Sequence, residues 1–287
     1  WGPEGGVEPP PGGVNSFSYT PIDLALAGTI TPLGNLNPPG HTTPSDHAYM
    51  YAVDFDHYPF VPDTLVRNVY APALGAVNFM LLQPSHDWKV QFVMTADMSY
   101  YLDHIQPRPG LKIGDIVQAG EIIGTTNRGG GLDLGAWDRR VTLPGLVAPA
   151  RYSDQTLHAV TPWKYYDEPL RSVIYSRVRR VAGAAERDAR IDFGIAGRLS
   201  GDWYHASLPH DLNSGGPTGW PKTLAFVRDY YDPNWVRVAI GGTIAPPGVW
   251  TIPDDAPRPE EVSVATGLVR YRLLYTMSKD QSNLMLV

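Results

Sequence analysis

Alternation of apolar and polar residues at period two dominates the chain up to about residue 165 and predicts strands there, with helix signals nearly absent. Ala48 to Phe55 alternates as a half-buried strand with His47 at its entrance, and Val90 to Ala96 and Met98 to Ile105 read as further strands. Between Leu111 and Thr125, short apolar runs (Ile113, Ile116-Val117, Ile122-Ile123) are broken at Gly114-Asp115 and at Ala119-Gly120-Glu121, the residue types that tolerate positive φ in tight turns. The chain should therefore fold back on itself every few residues in this stretch.

The pattern changes after Trp163 to Tyr166. Pro169 to Arg180 carries apolar residues three to four apart, which places a helix or linker over 169–189. From about residue 190, Thr223 to Arg228, Trp235 to Ile240 and Leu268 to Tyr275 alternate apolar residues with Arg, Thr or Ala, as in a small antiparallel sheet with one face solvated. The expected organisation is a leader (1–16), a β domain (17–168), the linker, and a smaller β-rich domain (190–287). The fold class is mostly β.

Composition narrows what the chain can do. With 287 residues it can bury a core unaided, and with no cysteine any metal must use His, Asp, Glu or backbone oxygen. Gly (29) and Pro (28) are abundant beside 16 Tyr and 8 Trp, which suits a loop-rich β protein with aromatic packing. A net charge of −6, with basic residues scattered apart from Arg177, Arg179 and Arg180, argues against a nucleic-acid partner. No apolar run approaches the ~20 residues of a membrane-spanning helix. The chain starts at Trp1 with a Gly- and Pro-rich stretch of the kind that follows a removed signal peptide, so an exported protein (periplasmic, extracellular or at the cell surface) is expected.

The turn-rich stretch resembles the V-x-x-G-D-x-V-x-x-G-x-x-I-G signature of duplicated-hybrid-motif barrels, above all the lysostaphin and LytM-like zinc metallopeptidases. Val69 to Val77 is similar to that family's V-x-A-P-x-x-G-x-V hairpin, Tyr101 and His104 resemble its Y-x-H strand, and His47 lies upstream as its first metal histidine would. The resemblance covers roughly residues 28 to 170. It implies a barrel-sandwich domain, a bound zinc ion and hydrolysis of a cell-envelope peptide or polymer. It also implies His47 as a metal ligand and His104 as the catalytic imidazole.

Two positions depart from the family pattern. Tyr51 stands where an aspartate ligand is expected, and Asp54, seven residues from His47, would point to the other face of a regular strand. Where the family reads His-x-His-Phe-Glu, this chain reads Gly131-Leu-Asp-Leu-Gly135, so Asp133 replaces the second histidine. The expected metal set is then His47 and Asp133 with His158 as third donor; His41 is another candidate donor. An oxygen-rich set would admit Ca²⁺ or Mn²⁺ in place of Zn²⁺. His41, Tyr101 and Arg139 are expected on the substrate side, Arg139 as a bidentate partner for a carboxylate. The alternative is a non-catalytic binding or scaffold protein on a degenerate peptidase barrel.

Other constellations carry less. His86-Asp87-Trp88 suits a hairpin turn and receives no catalytic role. His205, His210 and Asp211, with Trp203 and Trp220, suggest an aromatic loop able to stack on sugar. No Gly-x-Ser-x-Gly elbow is present, and Gly129 to Gly131 lacks the Lys of a phosphate loop.

Overall fold

The structure, a computed structural model, describes residues 6–54, 64–127, 129–209 and 218–275; His210, Asp211 and Asn213 to Gly216 lie outside them. The protein is mostly β and divides into two units. The first comprises Trp1–Pro32, His47–Val141 and His158–Arg179. The second comprises Leu33–Asp46, Thr142–Leu157 and Arg180–Val287.

In the first unit the described strands are β1 (Thr29–Ile30), β2 (His47–Tyr51), β3 (Asn68–Tyr70), β4 (Gly75–Leu82) and β5 (Trp88–Val93). They continue with β6 (Met98–Pro107), β7 (Ile116–Val117), β8 (Ile122–Thr126), β9 (Gly131–Asp138) and β10 (Ala159–Val160). They form one antiparallel sheet in the order β1-β2-β9-β6-β5-β4-β7, with β10 on β9, β8 on the end of β6 and β3 on β8. Gly114 (φ +92°) and Gly120 (φ +79°) make the turns around β7, and their amides bond to the carbonyls of Val77 and Ala71.

The pleat sorts side chains by face. Residues paired directly across antiparallel strands share a face, and neighbours along a strand alternate. Ala48 and Met50 of β2, Leu132, Leu134 and Ala136 of β9, Tyr100 and Leu102 of β6, and Val90 and Phe92 of β5 are all at most 1% exposed and form the core. Each large side chain of this set contributes about 1.5–3 kcal/mol by leaving water. The opposite face carries His47, Tyr49 and Tyr51 of β2, Gly131, Asp133 and Gly135 of β9, and Tyr101 and Asp103 of β6.

β6 then changes partner. Met98 to Asp103 pairs with β9, whereas Ile105 to Pro107 pairs with β8. The change falls at His104, which has φ +61°, and the β5 register slips at the same point: Trp88 faces Ile105 but Val90 faces Leu102. Two residues, Asp103 and His104, thus oppose the single Lys89, which is a β-bulge. The extra residue restores Ile105 to the core, at 0% exposure. A helix, Leu170–Arg177, follows and buries Ile174.

The second unit holds a five-stranded antiparallel meander: β11 (Gly201–Tyr204), β12 (Thr223–Arg228), β13 (Val236–Ile240), β14 (Gly248–Ile252) and β15 (Leu274–Tyr275). The expected solvated face is not found on its central strand. Every residue of β13 is buried: Val236, Val238 and Ile240 pack with Ile252 on one side, while Ala239 joins Ala225 and Val227, against which Leu36 and Phe193 pack, on the other. Arg237 is fully buried because Asp229 accepts from its Nε at 2.7 Å and the guanidinium lies 4.6 Å from the Trp235 ring. Small alanines leave room for a covering layer, and a paired arginine mimics the polar half of an exposed strand.

Candidate functional site

Three polar side chains from separate strands meet on the polar face of the first unit. Asp133 Oδ2 lies 3.3 Å from His47 Nε2 and 3.5 Å from His104 Nε2. The pleat delivers His47 and Asp133 to this face. His104 would point into the core from a regular β6, since Tyr101 lies an odd number of residues away; the bulge turns it outward beside Asp103.

Tyrosines enclose His47. The Tyr101 hydroxyl lies 2.8 Å from its Nδ1, and the Tyr49 hydroxyl 3.1 Å from its Nε2. Tyr101 reaches across β9 because Gly135 stands between them in the sheet: a Cβ there would come within 2.0 Å of the Tyr101 ring. Lys89 Nζ lies over that ring, 3.6 Å from its centroid. Tyr51 pairs with Gly131 and lies over it, so a Cβ at Gly131 would come within 2.5 Å of the Tyr51 ring. Tyr51 thus fills space that a side chain at 131 would occupy.

Sequence reasoning missed Asp87. It stays in the hairpin turn, where the Gln83 amide donates to its carbonyl, but its carboxylate is 3% exposed and contacts His104. Its Oδ2 lies 2.9 Å from His104 Nδ1 and accepts from Asn127 Nδ2 at 3.1 Å, while Oδ1 accepts from Ser85 Oγ at 2.6 Å. Asp103 adds a second carboxylate: its Oδ1 accepts from the His104 amide at 2.7 Å and from Gln83 Nε2. Asp87, Asp103 and His104 bring ligand atoms within 4.8 Å of one another, a group that could hold a metal ion.

Two of the remaining expected residues, His158 and Arg139, lie towards the far end of β9. His158 sits beside Asp138, which donates its amide to the His158 carbonyl, and its Nδ1 lies 2.6 Å from the Val141 carbonyl. Asp138 is five residues along β9 from Asp133, or ~17 Å at strand rise, so His158 does not join His47 and Asp133. Arg139 is one residue further, ~20 Å from Asp133 by the same rise. His41 belongs to the second unit, where it bridges to Asn37. Tyr101 is at the cluster, with its hydroxyl turned to His47.

Electrostatics oppose one another here. Burial pushes the Asp133 carboxyl above the usual carboxylate range, against the pull of His47 and His104. For His104, burial would favour the neutral ring, but the charges of Asp133 and Asp103 and the contact with Asp87 outweigh it and raise its pKa. Burial would likewise raise Asp87; hydrogen bonds from Ser85 and His104 overcome it and hold the carboxylate ionised. If His104 gives its Nδ1 proton to the bond with Asp87, its Nε2 and Asp133 Oδ2 are two acceptors 3.5 Å apart. Such a pair needs a proton or a cation between its members.

No protein-family model matches the chain, and no curated protein matches it. Among solved structures it is similar to Helicobacter pylori Csd3, with TM-score 0.35 and 16% identity over 53% of this chain and 34% of that one. It is similar to a zinc-containing peptidase from Vibrio cholerae, with TM-score 0.33 and 19% identity over 43% and 37%. A third is the catalytic domain of the prophage-encoded M23 protein EnpA from Enterococcus faecalis, with TM-score 0.29 and 15% identity over 42% and 87%. The matched stretch spans about a third of the length of the first two.

Proposed function

We propose that the chain is a divergent metal-dependent hydrolase of the lysostaphin-like kind, with His47 and Asp133 holding the ion and His104 acting on water beside them. The observation that carries this reading is the placement of Asp133 Oδ2 at 3.3 and 3.5 Å from the two imidazole Nε2 atoms. Ligands ~2.0–2.2 Å from a tetrahedral ion are about 3.3–3.6 Å apart, so the His47–Asp133 pair fits as two of its ligands, and the 3.5 Å contact leaves His104 beside them. An imidazole nitrogen beside a carboxylate oxygen suits Zn²⁺ or Mn²⁺ better than Ca²⁺, which prefers oxygen throughout. A bound ion would supply Lewis acidity and a water of lowered pKa. His104 Nε2 is the base that takes up a proton at this position, and the positive charge of Lys89 favours the ionised form of Asp133. A cell-envelope peptide or polymer as substrate, and an exported location, follow from the family resemblance.

A second reading, a binding or scaffold protein on the same barrel, is favoured by one feature: both ring nitrogens of His47 face tyrosine hydroxyls. Metal analysis of protein purified without added metal separates the two. The hydrolase reading expects about one ion per chain, lost in His47→Ala and in Asp133→Ala. Less than about a tenth of an ion per wild-type chain would sink it.

A further inference from the structure

We infer that Asp87 is a positioning residue for His104: it holds the imidazole as the Nδ1–H tautomer, so that the lone pair of Nε2 faces Asp133. The functional consequence rests on the hydrolase reading above; the tautomer does not.

Three features converge on this role. Asp87 Oδ2 is 2.9 Å from His104 Nδ1, and the carboxylate is itself clamped by Ser85 and Asn127. Asn127 matters because its amide nitrogen can only donate, which obliges Oδ2 to accept and reserves the same oxygen as acceptor for Nδ1–H. Ser85, Asp87 and His104 are brought together by the 83–87 turn and by the bulge at Asp103-His104. A bulge that places an imidazole at φ +61° leaves its ring direction to be set by such a contact. A bond from Nδ1–H to an ionised carboxylate outweighs a neutral one enough to move the tautomer ratio by about tenfold or more.

Once Nδ1 is committed to Asp87, Nε2 has a lone pair directed at the space between His104 and Asp133, where proton acceptance is required. Removing the carboxylate would leave the ring in place but release its preferred tautomer.

Long-range ¹H–¹⁵N correlation on the ¹⁵N-labelled full chain, at a pH where His104 is neutral, reads the two nitrogens separately. The expected result is a pyrrole-type shift at Nδ1 and a pyridine-type shift at Nε2. Asp87→Ala should reverse or mix these shifts. Asp87→Asn should keep them, because Asn127 directs the new amide oxygen towards Nδ1. A protonated Nε2 in the wild-type chain, or an unchanged tautomer in folded Asp87→Ala, overturns the inference. So does a pyridine-type Nδ1 that appears only when Zn²⁺ is added, since the ion would then sit among Asp87, Asp103 and His104. If Asp87→Ala fails to fold, the wild-type spectrum still decides. Metal content separates the two claims: the expected tautomer without bound metal removes the hydrolase reading and leaves Asp87 in its role.

Discussion

Tyr101 and His47 join hands across an intervening strand: the tyrosine hydroxyl lies 2.8 Å from His47 Nδ1, over the bare backbone of Gly135. Only a residue without Cβ leaves this path open. Gly135→Ala would put a methyl group 2.0 Å from Tyr101 Cε1, in a ring that is 1% exposed and has no room to retreat. Such overpacking costs about 1–3 kcal/mol. Urea unfolding should show this loss. Tyr101→Phe, which keeps the packing and removes the hydroxyl from His47 Nδ1, should cost about 1 kcal/mol. Equal stability of Gly135→Ala and wild type would contradict the described path.

His158 and His47 separate in the same way by position. His158 lies at the Asp138 end of β9, so His158→Ala should leave bound metal unchanged while His47→Ala removes it. Mass spectrometry of the metal content under native conditions checks both. Loss of metal in both variants would place His158 in the cluster after all.

How much of this was legible in the sequence depends on the range of the interaction. The turns at Gly114 and Gly120 were readable because positive φ is a local demand on one residue. His47 and Asp133 were named from the resemblance to a family motif, and they fall on the same face of β2 and β9. Asp87 was not, because its partner lies 17 residues away and is turned towards it by a bulge that no period reveals. The outward position of His104, an odd offset from Tyr101, was hidden for the same reason, since it depends on that bulge. His158 misled because an apolar context near a predicted strand end carries no information about which end of β9 it meets. Arg237 misled by presenting the outward half of an alternation that a buried aspartate neutralises.

Asp138 gives a pH dependence at the acid end. Its carboxylate receives Nε and Nη2 of Arg140 at 2.8 and 2.7 Å and the Tyr165 hydroxyl at 2.9 Å. The hydrogen bonds from Arg140 lower its pKa to about 2. A carboxyl with a lower pKa in the folded than in the unfolded chain adds stability that is present above pH ~4 and lost as pH falls towards 2. Arg140 is half-exposed, so the contribution is about 1–2 kcal/mol. Asp138→Asn should lose this amount at pH 7, and the difference from wild type should vanish near pH 2 in chemical unfolding. A constant difference over that window would show that the loss comes from packing, not charge.

Asp202, in the second unit, predicts the opposite sign. Its Oδ2 accepts from Tyr152 at 2.8 Å while its Oδ1 is enclosed without a partner, and burial lifts its pKa to about 7. In the unfolded chain the same group ionises near pH 4, so the unfolded state loses its proton first as pH rises. Its contribution is fully present below about pH 4 and is lost between pH 4 and 7, by up to about 4 kcal/mol. Asp202→Asn removes the charge while leaving a group able to accept from Tyr152, so its stability should be flat over this window and exceed that of wild type at pH 8. Thermal melts of both proteins from pH 4 to pH 8 read this directly. Parallel curves for the two would mean that Asp202 ionises without penalty, and that Oδ1 reaches water.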